Sequence, residues 1–319
     1  MKNNTVIITG ANSGIGKEAA IIFAQKGYQV IMACRNLKKG EKALQEVITL
    51  TKNPEVSVME LDLSSFRSIH SFCIDFKSKH QTLDILINNA GYFKYDAKEY
   101  PLTQDNLELT FMVNTVGPFM LSYLLLDLLK QADDPRILNA CSTNIRHFFD
   151  PNRKIDFENL QGQKNNKAYN GYKMYGDSKM ALLMLTFKMA EEFKPDGIKV
   201  NAVQIPSVSM SEETKNKFKG IWKLLATLQN PFALPKEKMA YAYYGICTSD
   251  EFKNINGKLI DSKQKIVKPS QYKSDPLSVI KQLFDQTVYP KYADNRENIE
   301  NAWNFARETT KTVGITPLP

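Results

Sequence analysis

The first regular pattern in the chain is Thr5–Gly16, which reads TVIITGANSGIG. Its first five residues have high β propensity, and a turn containing Gly10, Gly14 and Gly16 follows at once. The next amphipathic run, from about Ile15 to Lys26, is typical of a helix. Glycines between a strand and a helix let the backbone approach a pyrophosphate, whose charge the helix N-terminus stabilises. The stretch therefore predicts a dinucleotide-binding unit, although a simple tight turn would give a similar pattern.

The alternation of strand and helix patterns continues through the first two thirds of the chain. Further strands are predicted at Tyr28–Cys34, Val56–Leu61, Leu83–Asn88, Arg136–Cys141 and Ile198–Val203. Helices are predicted at Lys38–Thr51, Phe66–Lys79, up to about Gln131, and Tyr172–Phe193. Continuous apolar strands that alternate with helices imply a parallel sheet covered on both faces. We therefore predict an α/β fold, a single doubly wound Rossmann-type domain with a parallel sheet of about seven strands.

Two regions fall outside this alternation. Residues 207–235 contain no strand pattern and follow the sixth strand, at the edge where open α/β sheets bind ligands, so we expect a substrate lid there. Residues 268–319 are interrupted by prolines and then helical, over Pro276–Gln286 and Asn295–Lys311. We expect residues 1–267 to form the catalytic domain and 268–319 a helical extension packed on it.

The composition argues against several classes of function. The four cysteines are scattered without a Cys-x-x-Cys pair, and three histidines without a His-Glu-x-x-His motif give little support to a metal site. No apolar run approaches the about 20 residues that span a bilayer. The first apolar run starts at Val6, which leaves no room for a targeting peptide, so we expect a cytoplasmic protein.

The net charge of +8 could indicate nucleic acid or an anionic membrane as a partner. Acidic residues accompany the lysines almost everywhere, and neither a nucleic-acid motif nor an arginine-rich tract stands out. A solvated, lysine-rich surface is the favoured interpretation, and we expect no nucleic-acid partner.

Five motifs, in order, resemble those of the short-chain dehydrogenase/reductase family. The glycines are spaced Gly-x-x-x-Gly-x-Gly, and the other motifs are Asp62–Leu63, Asn88-Asn89-Ala90-Gly91, Asn114 with Ser142, and a Tyr-x-x-x-Lys pair. The resemblance spans roughly residues 5 to 260. Within the family, the segments GANSGIGKE, MACRN and IDFENL are most similar to the retinol-dehydrogenase-like subgroup.

The resemblance implies an oxidoreductase with a nicotinamide cofactor and no metal. It implies a catalytic set of Asn114, Ser142, Tyr175 and Lys179. The implied cofactor-binding residues are Gly10, Asn12, Ser13, Gly14, Ile15, Gly16, Arg35, Asn36, Asp62, Leu63, Asn89, Ala90, Gly91, Tyr175, Lys179, Pro206, Val208 and Ser211. One departure from the family is Ser207, which stands where a glycine is usual.

The segment Tyr169–Lys179, YNGYKMYGDSK, contains the Tyr-x-x-x-Lys pattern twice. Residues four apart lie on one face of a helix, which lets an ammonium act on a phenol. Only the pair Tyr175–Lys179 is followed by a long helix-forming run, whereas Tyr169–Lys173 includes Gly171, which is unfavourable in a helix interior. We assign the chemistry to Tyr175–Lys179 and expect Tyr169 and Lys173 in the preceding loop.

The end of the second strand indicates the cofactor. An NAD-specific site needs a carboxylate there for the ribose diol, but the residue is Cys34, followed by Arg35. A guanidinium can pair with a 2′-phosphate, so we expect NADP(H) in preference to NAD(H). A surface role for Arg35 is the alternative.

The family resemblance implies a mechanism. Hydride goes to a carbonyl carbon, Tyr175 supplies the proton and Ser142 bonds the same oxygen. We expect Lys179 to lower the pKa of Tyr175 and to hold the nicotinamide ribose, and Asn114 to bend its helix around a water. Two alternatives stay open: a carbon–carbon double-bond reductase like the protochlorophyllide reductases, whose long insertion is absent here, and a non-catalytic NADP(H)-binding scaffold.

The predicted lid suggests the substrate. Phe218, Ile221, Trp222, Leu225 and Leu228 form an apolar helical stripe with lysines between them, and an ordinary core-facing helix is the simplest alternative. Aromatic residues that follow strand ends are expected to face the same cleft: Tyr92, Phe93, His147, Phe148 and Phe149. We therefore expect a lipophilic carbonyl or alcohol substrate, with peripheral membrane contact through the lid and a homodimer as further possibilities.

Overall fold

The computed structural model describes residues 4–94, 96–164, 168–209, 233–272 and 275–311. The apolar stripe predicted for the lid, from Phe218 to Leu228, and the predicted cofactor contact Ser211 lie outside the described residues.

Nine strands of the described residues form one sheet, in the order β3-β2-β1-β4-β5-β6-β7-β8-β9. The strands are β1 (Thr5–Thr9), β2 (Gln29–Cys34), β3 (Val56–Glu60), β4 (Ile85–Asn88), β5 (Arg136–Ser142), β6 (Lys199–Ile205), β7 (Leu259–Ile260), β8 (Ile266–Pro269) and β9 (Val288–Tyr289). Strands β1 to β7 pair in parallel, whereas β8 runs antiparallel to β7 and β9 parallel to β8. The doubly wound fold is confirmed, and the sheet has two strands more than expected because the C-terminal region extends its edge.

Helices connect the strands and cover both faces of the sheet. They are α1 (Gly14–Gln25), α2 (Leu37–Thr51), α3 (Phe66–Lys79), α4 (Leu109–Phe111), α5 (Gly117–Leu124), α6 (Leu126–Leu129), α7 (Gly171–Glu192), α8 (Lys236–Thr248), α9 (Pro276–Phe284) and α10 (Arg296–Lys311). Polar side chains begin several of them: Asn36 accepts a hydrogen bond from the Lys39 N–H, and Asn170 accepts one from the Lys173 N–H.

The first strand shows why its three central residues are all apolar. Ile7 packs with the core on one face of the sheet, and Val6 and Ile8 pack with the core on the other face. Successive side chains of a strand point to opposite faces, so a central strand needs apolar residues at every position. Strands β2 and β3 are added on one side of β1, and β4 and the later strands on the other. The order of strand addition therefore reverses at β1, and a cleft opens at its carboxyl end.

The C-terminal region is part of the same packed body. Helix α10 lies on α7, where Trp303 is buried and the Lys188 ammonium is 5.7 Å from its ring centroid. The Lys188 ammonium is also 3.1 Å from a carboxylate oxygen of Glu300. Helix α10 therefore covers part of the long helix α7 within the chain, and a homodimer formed through that surface would have to displace it.

The long helix predicted up to Gln131 is interrupted. A π-helical turn, Met112–Val116, separates α4 from α5, and Leu125 leaves helical geometry between α5 and α6. The described helices include none that is both long and apolar enough to cross a membrane.

Candidate active site

The glycine turn after β1 has the shape of a phosphate cradle. Gly10 and Gly14 have φ angles of +68° and +58°, a region that glycine enters without a steric cost. A Cβ atom on Gly16 would lie 2.5 Å from the Asn89 amide nitrogen and 2.6 Å from the Gly10 carbonyl oxygen. The first turn of α1, GIGK, contains no acidic residue, so its amides and dipole favour an anion.

A cavity of about 170 Å³ lies beside this turn and collects many of the predicted cofactor residues. Its lining includes Gly10, Asn12, Arg35, Asp62, Leu63, Ala90 and Gly91. They come from the ends of β1, β2, β3 and β4, which meet at the carboxyl edge of the sheet. The fold therefore brings together residues that are up to 81 positions apart in the sequence.

The remaining predicted cofactor residues have more local roles around this cavity. Ser13, Gly14, Ile15 and Gly16 form the start of α1, and the Asn36 side chain begins α2. The Asn89 amide donates to the Thr9 carbonyl oxygen (2.8 Å) and accepts from the Tyr243 hydroxyl (3.1 Å). Asn89 thus links the start of the glycine turn to Tyr243 of helix α8.

The segment after β6 joins the two ends of the predicted lid. Val208 forms a parallel bridge with Leu234, whose N–H donates to the Ser207 carbonyl oxygen (2.9 Å). Pro206 precedes this bridge at the carboxyl edge of the sheet. Ser207 is not among the described non-glycine residues that have a positive φ. The backbone at this position therefore accepts a serine and does not require a glycine.

Asn114 lies in the π-helical turn and is fully buried. Its Oδ1 accepts from the Tyr92 N–H (2.7 Å), and its Nδ2 donates to the Tyr92 carbonyl oxygen (2.9 Å) and to the Ser178 Oγ (3.0 Å). The wider turn lets this side chain tie the loop after β4 to helix α7. The expected distortion at Asn114 is therefore present, in the form of a π turn.

Lys179 is buried on the inner side of α7. Its Nζ donates to the Ala140 carbonyl oxygen (2.7 Å) and lies 3.7 Å from where a Cβ on Gly91 would stand. Burial lowers the pKa of Lys179 to about 8, with a smaller opposing effect from Cys141. The ammonium thus lies between the core of the sheet and the cavity that Gly91 lines.

Tyr175 and Ser142 lie together at the open end of the site. Burial raises the pKa of Tyr175, and a hydrogen bond from the Ser142 side chain acts in the opposite direction. The expectation that Lys179 and the oxidised nicotinamide lower this pKa stays a prediction; the Lys179 Nζ lies 6.0 Å from the Tyr175 ring centroid. The Phe93 ring lies 4.7 Å from the Tyr175 ring and is 38% exposed.

The other Tyr-x-x-x-Lys pair is engaged elsewhere. The Tyr169 hydroxyl donates to Glu108 Oε1 (2.7 Å), and burial raises the pKa of both groups. Lys173 lies in the first turn of α7, not in the preceding loop, because Asn170 caps the helix before Gly171. Its ammonium pairs with the buried Asp177 carboxylate at 2.8 Å. The Tyr169 hydroxyl and the Lys173 ammonium thus each bond to a different acid.

Sequence reasoning missed two buried acids near the catalytic helix. Asp177 accepts from Arg153 (2.9 Å) as well as from Lys173, and Glu108 begins α4 by accepting from the N–H groups of Thr110 and Phe111. The signal for Asp177 was its place between Tyr175 and Lys179, where a polar residue occupies an otherwise buried helix face. Nothing in the sequence indicated which cations would reach it.

The aromatic residues expected at the cleft divide into two groups. Phe93 lies on Tyr175, and His147 Nε2 lies 3.0 Å from the Tyr172 hydroxyl, whose ring is 6.1 Å from Phe93. Tyr92 lines the cofactor cavity. Phe148 and Phe149 instead line a cavity of about 310 Å³ against the C-terminal region, so their expected place at the cleft is wrong. The short 3₁₀ segment Thr143–Phe149 turns them away.

Comparisons with known proteins agree with this geometry. The short chain dehydrogenase family model matches residues 4–149. Retinol dehydrogenase 12 of Mus musculus is 39% identical over 253 residues, which cover 79% of this chain and 76% of that protein. Retinol dehydrogenase 13 of Homo sapiens is 34% identical over 270 residues, 83% of this chain and 78% of that protein. A structure described as a short-chain dehydrogenase from Shigella flexneri, complexed with NADP, has the same fold, with a TM-score of 0.63, 19% identity and coverage of 82% and 98%.

Proposed function

This chain belongs to the short-chain dehydrogenase/reductase family and resembles its retinol dehydrogenases, and from that premise we propose that it is an NADP(H)-dependent oxidoreductase that interconverts a carbonyl and an alcohol. The observation that carries the proposal is the arrangement of Tyr175, Ser142, Lys179 and Asn114 beside the cavity at the carboxyl ends of β1 to β4. The family membership makes the chain an oxidoreductase, and the choice of substrate and cofactor is the proposed part.

The residues around the cavity fit a dinucleotide. The left-handed Gly10 and the crowded Gly16 leave room for a pyrophosphate only because neither has a side chain. The start of α1 supplies N–H donors, and Asp62 and Leu63 at the end of β3 are suited to an adenine. Lys179 would hold the nicotinamide ribose. When bound, the nicotinamide supplies or accepts the hydride.

Arg35 supports a preference for NADP(H). It is exposed at the end of β2 and lines the cavity, while Cys34 is fully buried and cannot bind a ribose diol. A guanidinium at this position matches a 2′-phosphate by two parallel hydrogen bonds.

The test of this preference is Arg35→Ala. Loss of a charge-assisted contact should weaken NADPH binding by about 1.5–3 kcal/mol and leave NADH binding nearly unchanged. Fluorescence titration with both cofactors measures this, and Lys38→Ala on the same exposed turn is the matched control. Equal losses for the two cofactors would refute the role of Arg35.

The proton chemistry is assigned to Tyr175. In the reductive direction its phenol donates a proton to the substrate oxygen, and the Ser142 hydroxyl bonds the same oxygen and stabilises the charge that develops there. Burial raises the pKa of Tyr175, which suits its phenol to hold this proton until hydride is transferred. In the oxidative direction the same phenol must lose its proton, and the nearby Lys179 cation favours that change.

The open end of the site supports a lipophilic substrate. Phe93 and Tyr172 present rings beside Tyr175, and each apolar group of a substrate that they desolvate adds to its affinity. The similarity to two proteins named retinol dehydrogenases also supports a lipophilic substrate. A retinoid, a steroid or an aliphatic or aromatic aldehyde would fit the proposed chemistry.

The experiment that tests the function is an NADPH-oxidation screen over retinal, a steroid ketone, a quinone and a series of straight-chain aldehydes. We expect catalytic efficiency to rise with aldehyde length. Product analysis separates an alcohol from a reduced carbon–carbon double bond. A preference for small polar carbonyls would contradict the lipophilic substrate, and no turnover of any substrate would favour an NADP(H)-binding scaffold.

A further inference from the structure

Helix α9 buries a polar side chain and exposes a stripe of apolar ones. Gln282 is buried, and it accepts a hydrogen bond from the Ser270 hydroxyl (2.5 Å) and donates one to the Ser278 carbonyl oxygen (3.1 Å). On the outer face, Leu277, Ile280 and Phe284 are 62%, 55% and 80% exposed. They are spaced three and four residues apart, so they form one continuous stripe. A soluble helix ordinarily directs such a stripe inward.

Exposed apolar surface is concentrated around this helix. Of the twelve large hydrophobic side chains that are exposed among the described residues, six lie in the segment 266–284. They are Ile266, Tyr272, Leu277, Ile280, Leu283 and Phe284. Isolated exposed apolar residues are normal, but a cluster of this kind marks an interaction surface.

The charge of the same region is positive. Residues 263–291 contain six lysines and two aspartates, a net charge of +4 within a chain of +8. Both carboxylates are engaged locally: Asp275 caps α9 by accepting from Ser278, and Asp285 accepts from Thr287 and Tyr272. Lys281 follows Leu277 by four residues and therefore lies on the apolar face, where its stem can lie along apolar groups while its ammonium meets an anion.

Helix α9 is also connected to the wall of the candidate active site. The Arg146 guanidinium donates to the Leu283 carbonyl oxygen (3.2 Å) in the last turn of α9. Arg146 belongs to the segment Thr143–Phe149, which starts directly after Ser142. Its neighbour His147 contacts the Tyr172 hydroxyl, and Tyr172 lies beside Phe93, which covers Tyr175.

We propose that the outer face of α9 (Leu277, Ile280, Lys281 and Phe284) docks on a lipid bilayer with anionic headgroups. An apolar helix face with a cationic border inserts into the headgroup region and pairs with anionic lipids. A second copy of the chain suits the surface poorly, because it would oppose one cationic region to another. Docking does not depend on the proposed carbonyl chemistry. Only its use, the transfer of a lipophilic substrate from the membrane to Tyr175, rests on the proposed function.

The test is sedimentation of the full chain with phosphatidylcholine vesicles made with and without phosphatidylserine. We expect the chain to bind the anionic vesicles and to remain in the supernatant with the neutral ones. The combined variant Leu277→Ser, Ile280→Ser and Phe284→Ser should lower the partition coefficient about tenfold or more. Lys281→Glu should lower the partition coefficient by a smaller factor, about fivefold or more. Added salt should also lower it, because salt screens the attraction to anionic headgroups.

The matched control removes three exposed large side chains from other faces: Leu50→Ser, Ile74→Ser and Tyr241→Ser. It should partition like the wild type, and both combined variants should keep their thermal unfolding midpoint and their turnover of a short, water-soluble aldehyde. Equal loss of partitioning in both combined variants, or no binding of the wild type to either vesicle, would overturn the proposal. Light scattering that shows a wild-type dimer and a monomeric α9 variant, without vesicle binding, would assign the face to a second copy instead.

Discussion

Two neighbouring turns of this chain carry a tyrosine and a lysine at the same spacing, and the fold uses them for different purposes. Tyr169 and Lys173 each bond to a buried acid, Glu108 and Asp177, and hold elements together. In the second pair, Tyr175 lies with Ser142 at the open site and Lys179 faces the cofactor cavity. The difference teaches that a shared spacing does not fix a shared structure: Tyr169 lies before the helix that holds Lys173, whereas Tyr175 and Lys179 both lie in α7. The two pairs also differ in their neighbours, since within the described residues buried acids bond only the first pair.

The largest expected effect separates the two tyrosines by turnover. Tyr175→Phe removes the proposed proton donor and should lower kcat by at least about a hundredfold, while NADPH still binds. Tyr169→Phe should leave kcat within a few-fold, because its hydroxyl bonds Glu108 and is not in the site. Steady-state kinetics and NADPH titration of both variants measure this. If Tyr169→Phe is the inactive variant, the two roles must be exchanged.

The second effect concerns the pH dependence that the buried Lys179 gives to stability. Burial lowers the pKa of Lys179 from its ordinary 10.5 to about 8. Below pH 8 this residue is charged in both states, and the folded state bears the full cost of burying the charge. Between pH 8 and 10.5 the unfolded chain binds more protons than the folded one, so folding becomes relatively more favourable as the pH rises.

Lys179→Met makes that effect measurable. The free energy of unfolding of Lys179→Met minus that of the wild type should fall by about 3 kcal/mol over this pH range. Urea titrations of the cofactor-free proteins at several pH values provide the measurement. Below pH 8, where Lys179 is charged in both states, the same difference should be nearly constant, and this range serves as the internal control. If this difference in the free energy of unfolding does not change with pH, the wild-type Lys179 ammonium must be solvated.

The third effect tests the structural role of Tyr169. Tyr169→Phe leaves the buried Glu108 without one of its hydrogen bonds and should lower the free energy of unfolding by about 1–3 kcal/mol. Urea unfolding measures the loss. The companion change Tyr100→Phe keeps the aromatic contact with Tyr169, at 4.9 Å between ring centroids, and should cost less. An unchanged stability of Tyr169→Phe would remove the contrast between the two pairs.

The smallest effect concerns Lys173, the half-exposed cation that pairs with the buried Asp177. Lys173 is 48% exposed and shares Asp177 with Arg153, so Lys173→Met should change the free energy of unfolding by less than about 1 kcal/mol. Arg153→Met should cost more, since this side chain is only 14% exposed and its loss leaves the buried Asp177 with the half-exposed Lys173 as its cation. Comparison of the two variants by urea unfolding ranks the cations. A larger loss for Lys173→Met would reverse their order.

Much of the fold was available from local pattern alone. The run TVIIT predicted a buried strand because its residues are β-branched and its three central positions are apolar, and the glycines at 10, 14 and 16 marked the turn that follows. The strands β8 and β9 were missed because they are only four and two residues long, too short for a clear periodic pattern. The interruption at Met112–Val116 includes Asn114, where the family resemblance implied a bend, whereas the break at Leu125 was missed.

The sequence by itself determined the family, the order of the strands and helices, and which residue types could form the site, because periodicity and short motifs are local properties of the chain. Only the tertiary structure decided which side chains have partners. It directed Phe148 and Phe149 to the C-terminal region, and it left the apolar face of α9 exposed. It also raised the pKa of Tyr175, because desolvation depends on every element packed around the phenol and not on the three residues between this tyrosine and its lysine.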